Sequence, residues 1–189
     1  LLSLAEAGLC EPAWSARVMD EARLAIMEVR HVPDVRARGF LDAICRAFPM
    51  AMAEDWERFE PDVNLSDPND GHVVAAARRA GAETIVTFNL KDFPADELSR
   101  YGLHAQSPDV FLTSVFDAHP EEAMDAMAQT GQLQTPSAAY HERGNRAFAR
   151  LAPSAVRTEI VRNGRLIPVI CNTANHTVGA INAQSVNNR

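Results

Sequence analysis

The stretch from Asp70 to Phe88 constrains the fold more than any other part of the chain. HVVAAARRAG is rich in alanine and closes on Gly81, which predicts a short helix. ETIVTF follows directly and is β-branched and apolar, which predicts a strand. Helix therefore feeds strand with almost no connection between them. The next residues, NLKDFP, form a loop before a helix that begins at Pro94, carries Asp96 and Glu97 in its first turn and ends at Gly102. A short LHA segment and a helix from Pro108 through Phe116 complete the alternation. Such alternation predicts an α/β fold with a mostly parallel sheet flanked by helices. Ligands in such sheets bind at the carboxyl ends of the strands, here the loop from Asn89 to Phe93.

Upstream, LLSLAEAGL reads as an opening helix closed by Gly8. WSARVMDEARLAIMEV offers Ser15 as an N-cap and places Val18, Ala22, Ile26 and Val29 on one helical face. Leu41, Ile44 and Phe48 line a second helix up to Pro49, and MAMAEDWERF is a short helical or irregular piece that stops at Pro61. LSDPNDG is turn chemistry. Beyond Ala118 the segments HPEEAMDAMAQTG and SAAYHERGNRAFARLA predict a helical C-terminal extension, before a tail with five Asn and no acid from Asn172 to Arg189.

Composition bounds the function. A chain of 189 residues with net charge −7 and 47% hydrophobic content has room for one domain plus further elements, and excludes disordered and collagen-like classes. No apolar run approaches the ~18 residues of a membrane span, and the opening lacks a basic start and cleavage-site pattern, which predicts a cytoplasmic protein without membrane partners. Cys10, Cys45 and Cys171 are too widely spaced for a zinc site and are expected to be reduced, mostly buried thiols. The phosphate-binding glycine patterns, the G-x-S-x-G elbow and the H-E-x-x-H pair are all missing, which weighs against nucleotide-dependent, esterase and zinc-protease chemistry.

Carboxylates at element boundaries are what remains. Asp20 and Glu21 lie in the first long helix, Asp67 and Asp70 at a helix start, and Asp92 just past the strand. Oxygen-rich groups of this kind suit Mg²⁺ or Mn²⁺, hard cations that activate water and neutralise phosphodiester charge. Each acid also has a structural reading. Asp67 and Asp70 are good N-caps, Asp92 could cap the helix near Pro94, and Glu21 could pair with Arg17.

Taken together, the acids and their setting resemble a known family. DPNDGHVVAAARRAGAETIVTFNLKDFPADELSRYGLHAQSPDVFL, Asp67 to Leu112, looks like the second half of a PIN domain, the Rossmann-like fold of VapC-type toxin ribonucleases. EAGLCEPAWSARVMDEA, Glu6 to Ala22, is similar to that family's early helix-loop-helix. The resemblance covers residues 1–112, leaving 113–189 as a mainly helical extension and tail. It implies a Mg²⁺- or Mn²⁺-dependent endoribonuclease, the toxin of a toxin–antitoxin pair, with RNA as substrate, an antitoxin protein as partner and a possible homodimer. Carried over residue by residue, the catalytic acids fall on Glu21, Asp70 and Asp92. The metal ligands fall on the same three and Asn89, with Asp67, His72 and Thr87 in support.

Two departures qualify the resemblance. Asn89 stands where many members carry an acid, and no residue in Leu1 to Gly8 supplies the family's first Asp, which sits at the end of an opening strand. A strand and its Asp are thus expected ahead of Leu1. LIPVICN, Leu166 to Asn172, offers another route: a strand that completes the sheet from the far terminus or from another subunit, with Asn172 in the Asp position. The alternative function is a catalytically incomplete PIN scaffold that binds RNA or protein, and a haloacid-dehalogenase-like or receiver-like phosphotransfer domain lacks its nucleophile motif here. Charge distribution tempers the acidic total. Arg143, Arg146 and Arg150 share a helical face and could contact RNA phosphates, or form a solvated or partner-docking surface.

Overall fold

The computed structural model describes residues 1–129 and 169–173, with side chains in the last segment described at Ile170 and Cys171. Helix α1 (Leu2–Glu6) leads into strand β1 (Cys10–Ala13), followed by the long helices α2 (Ala16–Arg30) and α3 (Asp34–Ala47). Single 3₁₀ segments at Trp56–Asp62 and Pro68–Asp70 precede α4 (Gly71–Ala80) and β2 (Thr84–Val86). A 3₁₀ turn at Leu90–Asp92, α5 (Ala95–Leu98), a further 3₁₀ turn at Ser99–Tyr101 and β3 (His104–Gln106) come next. Helices α6 (Pro108–Ala118) and α7 (Pro120–Gln129) follow, and β4 (Val169–Thr173) is the last described element.

Local chemistry accounts for the boundaries. The Ser15 hydroxyl accepts from the Val18 amide at 3.2 Å and Ser107 caps α6 in the same way at 3.3 Å. Gly81 ends α4 in the left-handed conformation at φ 65°, which only a glycine adopts without strain, and lets the chain reverse into β2 within a few residues.

The sheet order is β1-β4-β2-β3. β2 pairs with β3 in parallel, whereas β4 is antiparallel to both β1 and β2. The class is α/β as expected, but the sheet is mixed and not mostly parallel in its pairings. β1, β2 and β3 run one way, and the C-terminal strand enters between them from the opposite direction.

The described part of that run, from Val169, does join the sheet, with Ile170 opposite Ile85 and Cys171 opposite Thr84. Its antiparallel sense defeats the second half of that expectation. Val169 lies beside Val86 at the carboxyl end of β2, and Asn172 lies beyond Cys171 toward the amino end, opposite Glu11. Asn172 therefore does not occupy an acid position at the functional edge. β1 itself falls where a loop between helices was expected. Trp14, just after it, exchanges backbone bonds with Ala51 and Ala53 at 2.9 and 2.8 Å, the outward side on which Pro12 also sits without a donor to lose.

Both sheet faces are covered. Ile85 and Ile170 face a cluster with Val73, Ala76, Trp14 and Leu98, while Val86 and Cys171 face one with Leu4, Leu9, Phe111 and Val115. Successive residues of β2 and β4 thus point into opposite cores, which is why ETIVTF is a continuous apolar run and not an alternating one. Val115, Phe116 and Ala123 share the second core, and residues 169–173 give the sheet its β4. Cys10, Cys45 and Cys171 are free thiols, the first and third buried.

Candidate metal centre

Two 3₁₀ turns build the site. In a 3₁₀ helix residues three apart eclipse one another. Asp67 caps the turn Pro68–Asp70, so its side chain and that of Asp70 come to one side. Asn89 precedes the turn Leu90–Asp92 in the same relation to Asp92, and the Asn89 amide donates to the Asp92 carboxylate. α4 brings the two turns together. It is ~15 Å long at 1.5 Å per residue, close to the length of β2 plus the residues that follow it. Since the short link through Gly81 makes α4 run back along β2, the amino end of α4 stands over the carboxyl end of β2.

One carboxylate oxygen from each of Asp67, Asp70 and Asp92 lies within 4.8 Å of the others. Asp70 stands at the N-cap of α4, yet its side chain accepts no capping bond. The cap reading of Asp70 is thereby excluded, and Asp92 does not cap α5, whose N-cap is Pro94. Asp67 does both jobs: it accepts from the Asn69 amide at 2.9 Å and keeps a carboxylate oxygen in the trio. Burial, reinforced by the Asp92 and Asp67 carboxylates and by Glu21, pushes Asp70 above the usual carboxylate range against a weaker pull from His72. A cluster that resists its own ionisation in this way favours a bound cation. All three donors are hard oxygens, the set that Mg²⁺ and Mn²⁺ take.

Glu21 stands one step back. Its carboxylate is 3.3 Å from His72 Nε2 and 3.6 Å from Arg17 Nε, so it is not in the converging trio. Burial opposes its charge, but bonds and charges from His72 and Arg17 outweigh that and hold its carboxyl below the ordinary value. His72 is buried, and its Nδ1 donates to the Asn69 carbonyl at 2.8 Å, which fixes the ring on the turn carrying Asp70. Thr87, buried at the end of β2, accepts from the Asn89 amide at 3.0 Å and shapes the second turn. Arg17 reaches Glu60 at 3.5 Å as well as Glu21, and ties α2 to the 3₁₀ segment Trp56–Asp62.

Most of the expected residues therefore meet here: Asp70, Asp92, Asn89, Asp67, His72 and Thr87, with Glu21 linked through His72. Asp67 belongs to the trio itself and not to its surroundings, a status legible only from the three-residue spacing to Asp70. Arg143, Arg146 and Arg150 lie outside the described residues.

Residues 1–91 match the PIN domain family. Over those residues the chain is similar to a PIN domain. Over 58 residues the chain is 52% identical to a Mycobacterium tuberculosis (strain ATCC 25618 / H37Rv) protein named "Putative ribonuclease VapC50", an alignment covering 31% of this chain. The chain spans about a third of that relative, 34% of its length. No solved structure matches. Both acid-bearing turns begin within or at the edge of the matched PIN region, and among the described residues no helix is long and apolar enough to cross a membrane.

Proposed function

We propose that this PIN domain is a Mg²⁺- or Mn²⁺-dependent endoribonuclease of the VapC kind, the cytoplasmic toxin of a toxin–antitoxin pair. The observation that carries the reading is the convergence of Asp67, Asp70 and Asp92 at the carboxyl edge of the sheet. When bound there, the cation supplies an activated water and neutralises charge on the attacked phosphodiester. Asp70 and Asp92 are the principal ligands and Asp67 completes the set. Asn89 holds Asp92 in place through its amide, and Glu21 acts through His72, whose ring orients the Asp70 turn. The antitoxin would be a small protein that covers this edge, and a homodimer is the expected assembly. Arg143, Arg146 and Arg150 would contribute phosphate contacts, each weakening RNA binding further as salt rises.

Incubating the purified chain with RNA in Mg²⁺, in Mn²⁺ and in chelator tests the proposal. Products are expected with either metal, none in chelator and none from the Asp70→Asn protein. RNA binding without cleavage under any metal would instead identify the scaffold as a binding module.

A further inference from the structure

Glu97 lies in the first turn of α5, a place that favours an acid whatever it touches. Its carboxylate is nevertheless committed to a residue 31 positions upstream. One oxygen accepts the Ser66 amide at 2.8 Å and the other accepts the Ser66 hydroxyl. These two bonds outweigh burial and hold the Glu97 carboxyl below its ordinary value. Ser66 is the residue before Asp67, and α5 follows Asp92 after only Phe93 and Pro94. The tie therefore joins the two acid-bearing turns directly. Both of its ends are anchored in one core: Leu65 beside Ser66, and Phe93 and Leu98 on the α5 side, are buried in the same cluster. Pro94, with its fixed φ of −63°, stiffens the step from Phe93 into α5. Tyr101 holds the same stretch further from the acids. Its hydroxyl accepts from the Asn64 amide at 2.8 Å and donates to the Asp62 carbonyl at 3.3 Å.

Without this tie the two turns are connected only the long way round, through α4 and β2. Asp67, Asp70 and Asp92 repel one another, so turns held at one side alone would relax outward when no cation is present. A cation would then have to draw them back, and that reorganisation would be subtracted from its affinity. We propose that Glu97 is a positioning residue of the metal centre: through Ser66 it fixes the Asp67 turn against the Asp92 turn, so that the three carboxylates stand together before a cation arrives. Glu97 is outside the converging trio and acts only through Ser66. The inference rests on the Mg²⁺ or Mn²⁺ reading of the trio and adds to it the side chain that sets the affinity.

Mn²⁺ binding to the full chain, followed by the electron paramagnetic resonance signal of free Mn²⁺, tests this without turnover. Glu97→Ala is expected to weaken binding about ten- to 100-fold, the usual effect of removing a group that orients a metal ligand. Ser66→Ala removes one of the two bonds and should weaken binding about three- to tenfold, with no further effect in the Glu97→Ala background. A carboxylate attracting the cation from a distance would not involve Ser66 at all. Tyr101→Phe, which loosens the same stretch away from the acids, should leave Mn²⁺ binding as it is. A Glu97→Ala protein that binds Mn²⁺ like its parent overturns the role. So does a Ser66→Ala effect that is equal in both backgrounds, or a Tyr101→Phe loss as large as that of Glu97→Ala. Should Glu97→Ala fail to fold, Ser66→Ala decides alone, and unchanged binding removes the role. The two readings fail separately. RNA cleavage by the parent with Mn²⁺ binding indifferent to Glu97 leaves the ribonuclease and removes the positioning role. Glu97-dependent Mn²⁺ binding without any cleavage does the reverse, and a parent that takes up no Mn²⁺ removes both.

Discussion

Asp70 concentrates the tension between folding and function in one side chain. Burial and three neighbouring carboxylates raise its pKa in the folded chain, so the folded state holds that proton more tightly than the unfolded state does. Stability contributed by this group is therefore present in acid, falls as pH rises through the raised value, and is fully lost at neutral pH without a cation. Asp70→Asn is expected to raise the melting temperature of the metal-free protein at neutral pH, with the difference vanishing below the ordinary Asp range; melting curves across pH check it. Added Mg²⁺ or Mn²⁺ should reverse the ranking. A cation that binds only the folded state stabilises it by ~2.7 kcal/mol at a hundredfold excess over its dissociation constant, and the variant should show little of that gain. Ser15 offers a contrast with no chemical role. Its buried hydroxyl caps α2, and Ser15→Ala is expected to cost about 1 kcal/mol in denaturant unfolding while leaving metal binding unchanged.

At the scale of elements, β4 ties residues 169–173 to the strands of the first hundred or so residues. It fills the position between β1 and β2, and Ile170 is fully buried against Ile85 and the α4 core. Ile170→Ala should cost ~2–5 kcal/mol, as for any large side chain lost from a packed core, and chemical denaturation will measure it. A smaller change, under ~1 kcal/mol, would mean that the sheet holds without this strand. The sequence made the strand visible through the apolar run LIPVIC, and α4 and β2 through Gly81 and the β-branched ETIVTF. Strand direction was not visible, because residues buried on both faces carry no alternation to betray it. β1 stayed hidden for a related reason: four residues containing Pro12 give no periodic signal, and only tertiary pairing makes them a strand. At the site, the residue types were legible and their grouping less so. The sequence cannot show that Asp70 leaves its capping bond unmade, or that His72 and Arg17 engage Glu21.

For the whole molecule, the formal charge of −7 averages over unlike regions. Asp67, Asp70 and Asp92 converge on one sheet edge, and Lys91 stands beside Asp92 in the same loop. A divalent ion at that edge would offset the repulsion that an RNA backbone meets there, which makes metal a condition of productive binding as well as of chemistry. The most direct measurement is the rate of RNA cleavage by wild-type and Asp70→Asn proteins at saturating Mn²⁺, with melting temperatures recorded on the same samples. The account predicts at least a ~100-fold loss of rate in a variant that is no less stable than its parent before metal is added. Equal rates in the two proteins, or wild-type cleavage that persists undiminished in chelator, would contradict it.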